Sequence, residues 1–132
     1  MQLKPQKYYE YEKENEVMVQ EYFKRIKSGD VQGLLELFSD DSVVYEPFSK
    51  SKRLFGKAEI EPFLRSVIMA NEGVQYELKI VQQKNNSKDN LVALVTFRKE
   101  NEIRARLTFA FESSDHFKFI RRIKSLLIEF ID

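Results

Sequence analysis

The side chains that could do chemistry in this chain are carboxylates, tyrosines, lysines and arginines. Its 132 residues include no cysteine, which excludes thiol nucleophiles, disulfides and zinc–thiolate or iron–sulfur sites. The single histidine, His116, excludes a two-histidine metal site, and it ends a Ser-Ser-Asp-His turn pattern that offers no triad partner. We therefore expect no metal and no cofactor. Any catalysis would therefore fall to carboxylates, tyrosines, lysines or arginines.

The charge balance argues against a nucleic-acid partner. The chain has 22 basic and 21 acidic residues, a net charge of +1, whereas dedicated nucleic-acid binders carry a basic excess. One stretch, Phe117–Lys124, interleaves aromatic and basic residues. Such a stretch can contact phosphates and stack on bases, or it can be a strand with one wet face. The near-neutral charge favours the strand.

Two arginines, Arg104 and Arg106, are spaced to share one face of a strand. They could bind an anionic ligand or form a charged ladder on the outer face of a sheet. A solvated or interface face is favoured. The predicted hairpin places them opposite Val95 and Phe97, across a turn at Glu100-Asn101.

The elements that must position these side chains follow an α+β order, with helices first and an antiparallel meander afterwards. Apolar residues at helical spacing predict a helix over residues 8–28, and Gly29 ends it. Asp30 is a good N-cap for a short second helix, which we expect Ser39-Asp40-Asp41 to stop. Alternation and turn residues predict the strands Ser42–Glu46, Arg53–Phe55, Val74–Gln83, Leu91–Arg98, Ile103–Glu112 and Phe117–Phe130.

The third helix carries a proline inside its pattern. Apolar spacing predicts a helix over Lys57–Ala70. Pro62 is tolerated only in a first turn, so we expect the helix proper to begin near Glu61.

Five short motifs follow one another along the chain, at Val19–Tyr22, Ser28–Asp30, Leu37–Asp41, Tyr45–Pro47 and Gly56–Ile60. Their order resembles the nuclear-transport-factor-2-like superfamily, which includes ketosteroid isomerases and SnoaL-like polyketide cyclases. The likeness extends from about Asn15 to Phe130. It implies a single domain over 1–132, with 1–12 as a helical extension or a frayed end. The implied fold is a cone, in which a curved antiparallel sheet wraps over three N-terminal helices around an apolar pocket.

The resemblance implies catalytic roles for Tyr22 and Glu46. In ketosteroid isomerases a first-helix tyrosine donates to the developing oxyanion, and a carboxylate before a proline shuttles the proton. Tyr22 and Glu46 match these positions within V-Q-E-Y and Y-E-P, although this chain has Glu where the isomerases have Asp. Glu46 could instead contact a ligand without catalysis, or pair with a Lys or Arg at the mouth of the cone.

The isomerases' third residue, an aspartate on a late strand, matches by letters at Asp115. Pairing Leu91–Arg98 with Ile103–Ala110 instead predicts that Asp115 lies in a turn outside the pocket. Limonene-epoxide-hydrolase-like relatives use an Asp–Arg–Asp relay, which Arg104-Ala105-Arg106 does not reproduce.

The pocket would be lined by apolar side chains, which are equally suited to fill a solid core. The resemblance implies binding of a small hydrophobic molecule, with isomerase- or cyclase-like catalysis as an extension of that function. The alternative is a non-catalytic protein-interaction module with a solid core. The predicted ligand-binding residues are Phe23, Phe38, Val44, Phe63, Val67 and Leu78.

The outer face of the predicted sheet is partly apolar. Both faces of Leu91–Arg98, and the segment Leu126–Phe130, carry apolar residues, and the helices cover only one face. A homodimer through the sheet face is the economical explanation. The polar N-terminus and the short apolar runs predict no signal peptide and no membrane span, and we expect a cytoplasmic protein.

Overall fold

The computed structural model describes residues 6–48, 52–81, 89–112 and 121–131, with side chains from residue 14 onward. The predicted α+β class is confirmed. The elements are α1 (Gln6–Ser28), α2 (Val31–Glu36), β1 (Phe38–Tyr45), β2 (Arg53–Phe55), α3 (Lys57–Ala70), β3 (Gln75–Val81), β4 (Asn90–Arg98), β5 (Glu102–Phe111) and β6 (Ile123–Ile131).

The junction between α1 and α2 follows the predicted capping chemistry. Gly29 has a φ of 73°, in the left-handed region that glycine adopts without a steric penalty, and it ends α1. Asp30 then caps α2, because its Oδ1 accepts a 2.8 Å hydrogen bond from the backbone N–H of Gly33. The predicted stop of α2 at residues 39–41 is wrong. The helix ends at Glu36, and these residues already belong to β1, which pairs with β6 from Phe38 onward.

The expectation that α3 begins near Glu61 is also wrong. The helix begins at Lys57 after Gly56, whose φ is 81°, so Pro62 lies in its second turn. A proline there removes one backbone hydrogen bond from the helix. The chain tolerates it because Ile60 and Leu64, on either side, are buried in the core.

The sheet has the strand order β2-β1-β6-β5-β4-β3 among the described residues. Four of its five strand pairs are antiparallel, as predicted, and β1 lies parallel to β6. The first long strand of the chain is therefore a direct neighbour of the last. This neighbour relation places the end of β1 against the middle of β6, where the site begins.

The hairpin between β4 and β5 corrects the predicted register. Arg104 pairs with Thr96 and Arg106 with Leu94, not with Phe97 and Val95. The reason is a three-residue loop at 99–101, where a two-residue turn was predicted. Both arginines lie exposed on the outer face, and Arg106 Nε is 3.4 Å from Glu129 Oε1.

The core lies between the helices and the inner face of the sheet. Tyr22 on α1 is among its most buried side chains, and its ring meets Phe109 on β5 edge to face at 5.5 Å between centroids. Phe38 and Leu126 close the same layer from β1 and β6. This layer separates the site from the other end of the sheet.

A buried arginine joins four segments beyond that layer. Arg121, just before β6, donates to Asn15 Oδ1 on α1 at 2.7 Å and to the backbone oxygen of Glu112 after β5 at 3.2 Å. It also forms an ion pair with Asp89, just before β4, and its guanidinium lies 5.6 Å from the ring centroid of Phe111. Arg121 is thus a structural residue and not part of a solvated strand face. The rest of the interleaved stretch up to Ile120 lies outside the described residues.

No helix in the described part of the chain is long and apolar enough to cross a membrane.

Candidate functional site

A cavity of about 720 Å³ lies between the inner face of the sheet and helices α1 and α3. This volume falls in the range of pockets that bind small organic molecules. Its walls are mostly carbon, supplied by α1 at Phe23, by α3 at Phe63 and Val67, and by the sheet at Leu107 and Ile128. The fold therefore leaves room for an apolar molecule beside its core.

Three of the six predicted ligand-binding residues line this cavity and three do not. Phe23, Phe63 and Val67 are on the wall, because each projects from a helix toward the sheet above the packed layer. The Phe23 ring also stacks on Tyr76 of β3, with centroids 5.3 Å apart, which extends the wall toward the edge of the sheet.

The other three predicted residues lie elsewhere. Phe38 and Val44 are fully buried in the closed core. Val44 pairs with Leu126, which in turn pairs with Phe109, so it belongs to the layer below the cavity. Leu78 is half-buried and packs against the core from β3, but it is not part of the lining.

Tyr22 lies at the inner end of the cavity. Its side chain is 1% exposed, and its ring packs edge to face on Phe23 and Phe109. No residue in the described parts of the chain hydrogen-bonds its hydroxyl. Burial raises the pKa of the Tyr22 phenol well above its usual range, so the group stays protonated and can only act as a neutral hydrogen-bond donor or acceptor near pH 7.

Glu46 lies at the cavity wall directly after β1. Strand alternation turns Val44 inward, Tyr45 outward and Glu46 inward again, and Pro47 then ends the strand because it lacks an N–H. The carboxylate is 4% exposed, and its Oε2 accepts a 2.7 Å hydrogen bond from the backbone N–H of Phe48. Its own backbone N–H donates to Lys52 O at 3.2 Å. These bonds hold the carboxylate in one orientation.

Tyr22 and Glu46 thus line the same cavity, Tyr22 from α1 and Glu46 from β1. The pair combines a neutral O–H donor with a carboxylate that can accept a proton. Together they could move a proton within a bound molecule while stabilising a developing negative charge.

Aromatic rings line the cavity beside Glu46, which was not predicted from the sequence. Phe48 and Phe130 line it although they are 69% and 50% exposed, and their rings meet edge to face at 5.3 Å between centroids. Ile103 on β5 is also exposed there. Inward alternation along β6 could have indicated Phe130, but Phe48 lies in a loop where no periodic signal exists.

The polar lining residues that sequence reasoning missed come from turns or from α3. Lys99 and Asn101 belong to the β4–β5 loop, and Asn71 follows α3. Glu59 lines the cavity from the first turns of α3 and is exposed; its Oε1 accepts from the N–H of Phe55 at 3.3 Å. In the sequence, a turn residue indicates only where an element ends. It does not indicate that the residue lines a cavity.

Two further predictions fall outside the described residues, namely the turn position of Asp115 and the turn pattern that ends at His116. Within the described ranges, no group of three or more His, Cys, Asp or Glu side chains is placed to hold a metal ion.

The family model for the SnoaL-like domain matches residues 19–121. The chain belongs to the SnoaL-like domain family. The predicted resemblance to the nuclear-transport-factor-2-like superfamily is thereby confirmed, and the match covers both α1 from Val19 and the whole of the cavity wall up to β5. No curated protein sequence matches this SnoaL-like chain.

Solved structures show the same fold at low sequence identity. SalBIII, an epoxide hydrolase/cyclase-like enzyme with a role in pyran ring formation in polyether salinomycin, is 17% identical with a TM-score of 0.66 over 90% of this chain and 92% of its own. A nuclear-transport-factor-2-like protein of unknown function from Cytophaga hutchinsonii is 12% identical with a TM-score of 0.61, over 86% and 87%. A computationally designed 17-OHP binder is 18% identical with a TM-score of 0.59, over 86% and 90%. At these identities the likeness establishes the fold alone.

Proposed function

We propose that this SnoaL-like domain binds a small hydrophobic molecule in the cavity beside Tyr22 and Glu46. The observation that carries the proposal is the open cavity of about 720 Å³ with a mostly carbon wall. Such a void is costly to leave in a protein interior unless it is used, since interiors are otherwise close-packed. The structural neighbours include both a cyclase-like enzyme and a designed small-molecule binder, which supports a ligand in this fold.

We further propose acid–base catalysis that uses only side chains. Glu46 takes a proton from a carbon next to a carbonyl group of the ligand, and electrons move onto the carbonyl oxygen to form an enolate. The Tyr22 hydroxyl donates a hydrogen bond to that oxygen. Glu46 then returns the proton to a different carbon, so the product is an isomer of the substrate and no oxidant is needed.

Glu46→Gln separates catalysis from binding. A panel of apolar β,γ-unsaturated ketones is followed by the ultraviolet absorbance of the conjugated product, and binding of each ketone by displacement of the neutral dye Nile red. We expect Glu46→Gln to lower the isomerisation rate at least about 100-fold, because general-base catalysis contributes that much, while binding is retained.

The matched control is Glu59→Gln, since Glu59 is a second carboxylate on the same lining. We expect its rate to stay within about twofold of wild type. If the wild-type protein binds the ketones but isomerises none of them, the binding function stands and the proposed catalysis is wrong. Equal losses in both variants would show that Glu46 has no special role.

The second candidate function is that of a protein-interaction module, and an exposed apolar strip on the outer face of the sheet favours it. On the outer face of the sheet Tyr45 and Leu127 are adjacent across β1 and β6, and both are exposed. Phe55 of β2, which is also exposed, pairs with Val43 on the same face. We propose that a second copy of this chain covers this apolar strip, and this dimer is compatible with an occupied cavity on the opposite face.

A further inference from the structure

The charged groups of the cavity lie at two separate ends, with the carboxylates of Glu46 and Glu59 at one and the Lys99 ammonium at the other. Strand register sets their spacing, because Tyr45 pairs with Leu127, Leu127 with Thr108 and Thr108 with Val92. Glu46, one residue on, is therefore level with Ala93 of β4. β4 continues in the same direction from Ala93, and Lys99, six residues later, lines the opposite end of the cavity. Six residues of extended chain span about 20 Å.

Lys99 is the one cation among the described residues that line the cavity. No carboxylate of the described residues lies within ion-pair distance of it, whereas the nearby Arg98 is paired with both Glu77 and Glu102. The Lys99 ammonium makes one long hydrogen bond, 3.4 Å to the backbone oxygen of Glu72. This bond draws the side chain across the turn that follows α3, at the rim of the cavity, and leaves donor capacity for another acceptor.

Amide side chains accompany this ammonium at the mouth. Asn101 lies on the same loop, and its backbone oxygen accepts from the N–H of Lys99 at 3.3 Å. Asn71, which follows α3, also lines the cavity, and its Nδ2 donates a 2.8 Å hydrogen bond to Val67 O. The mouth therefore combines one positive charge with uncharged polar groups that can hydrate or contact an anion.

The wall between the two ends is mostly carbon, and its Ser66 hydroxyl donates to Pro62 O on the same helix at 3.2 Å. It is formed by Phe63 and Val67 on the helix side and by Ala105, Leu107 and Phe97 on the sheet side. A ligand that fills this length gains from burial of a continuous apolar body, at about 25 cal/mol per Å². A negative charge on that body would be desolvated along the wall, and Lys99 is the only cation that the described lining residues offer it.

Resting on the proposed function, we propose that the ligand is an elongated apolar carboxylic acid. Its carboxylate is held at the mouth by Lys99, and its hydrocarbon body extends inward past Phe63 toward Glu46 and Tyr22. The acid enters body first, because its charged end is stabilised only where water and the ammonium remain available. Lys99 thereby sets which end of the ligand faces Glu46.

The test compares an acid with its uncharged ester. Hexadecanoic acid and methyl hexadecanoate, below their aggregation limits, displace Nile red from the wild-type protein, from Lys99→Met and from the control Lys79→Met. Met keeps the length of the side chain and removes its charge. Lys79 is an exposed lysine of β3, which pairs with Leu94 on the outer face of the sheet.

We expect the wild-type protein to prefer the acid over the ester by about fivefold, in line with one partly exposed ion pair. Lys99→Met should abolish the preference without weakening the ester, and Lys79→Met should keep it. The preference should also shrink as salt is added.

Two results would overturn the inference in different ways. If Nile red binds and wild type does not prefer the acid, or if Lys99→Met still prefers it, the inference fails and the binding function stands. If neither the dye nor either lipid binds, the proposed function fails and this inference fails with it.

Discussion

Tyr22 shows how one buried hydroxyl ties the site to the stability of the fold. Its phenol is enclosed by aromatic rings and keeps a raised pKa through burial. In the unfolded chain a tyrosine ionises near pH 10. Above that pH the unfolded state therefore binds fewer protons than the folded state. The stabilising contribution is complete below about pH 10 and is lost as the pH rises further.

We predict that Tyr22→Phe flattens the alkaline loss of stability. In wild type the free energy of unfolding should fall by up to about 1.4 kcal/mol per pH unit above pH 10 from this group alone, and the variant lacks that component. Urea unfolding at several pH values between 8 and 11.5 measures it. Phe23→Leu, which alters a ring packed on Tyr22 and removes no titratable group, is the control and should change the stability equally at every pH. Parallel curves for wild type and Tyr22→Phe would contradict the prediction.

The site residues differ in whether their neighbours in the sequence reveal that they line the cavity. Glu46 could be predicted because Y-E-P places it at an inward position just before a strand-ending proline. Lys99 and Phe48 could not, because each lies in a loop and reaches the cavity only through the register of distant strands. Phe38 and Val44 have the right chemistry for a pocket but lie one layer deeper, which residue type alone does not reveal.

At the scale of elements, the first turn of α2 depends on close contact between two residues. The Asp30 carboxylate accepts from the N–H of Gly33, and a Cβ at position 33 would lie 2.6 Å from Asp30 Cγ. Arg25 also donates to the Gly33 carbonyl. A Cβ at this position would therefore displace the Asp30 carboxylate, although the φ of Gly33 is ordinary for a helix.

We predict that Gly33→Ala depends on Asp30 for its effect. Alanine normally stabilises a helix by about 1 kcal/mol over glycine, but here it displaces the capping carboxylate, which contributes about 1 kcal/mol. Little net gain should therefore result in wild type. In an Asp30→Ala background the same change should stabilise by about 1 kcal/mol, because no cap remains to be lost. Urea unfolding of the four proteins gives the coupling energy. A value near zero would show that the cap tolerates a Cβ.

The sequence predicted an element correctly where residues of that element determine its bounds. It failed where the bounds depend on pairing with a distant element. Helix α1 and its Gly29-Asp30 boundary follow from spacing and capping. The start of β1 at Phe38 depends on β6, more than 80 residues later, so local residues suggested a helix stop instead. The β4–β5 register changed by one because the loop holds three residues.

At the scale of the whole molecule, the outer face of the sheet predicts self-association. We expect sedimentation at micromolar concentration to find a dimer, and Leu127→Lys to find a monomer because a buried lysine at the centre of the apolar strip would be desolvated. Val17→Lys is the control, since Val17 is also an exposed apolar residue but lies on α1, away from the strip. A wild-type monomer, or a dimer that persists in Leu127→Lys, would remove the proposed interface.

The pairing of β1 with β6 has a consequence for how the protein is made. β1 emerges from the ribosome early, yet its partner strand is Ile123–Ile131. Until that segment has been synthesised, β1 lacks one of its two neighbours and presents buried positions such as Phe38 and Val44 to the cell. Contacts of such long sequence separation slow folding and prolong the exposure of apolar surface. The nascent chain thus keeps this apolar surface exposed until β6 has been synthesised, and Glu46 reaches its position beside β6 only then.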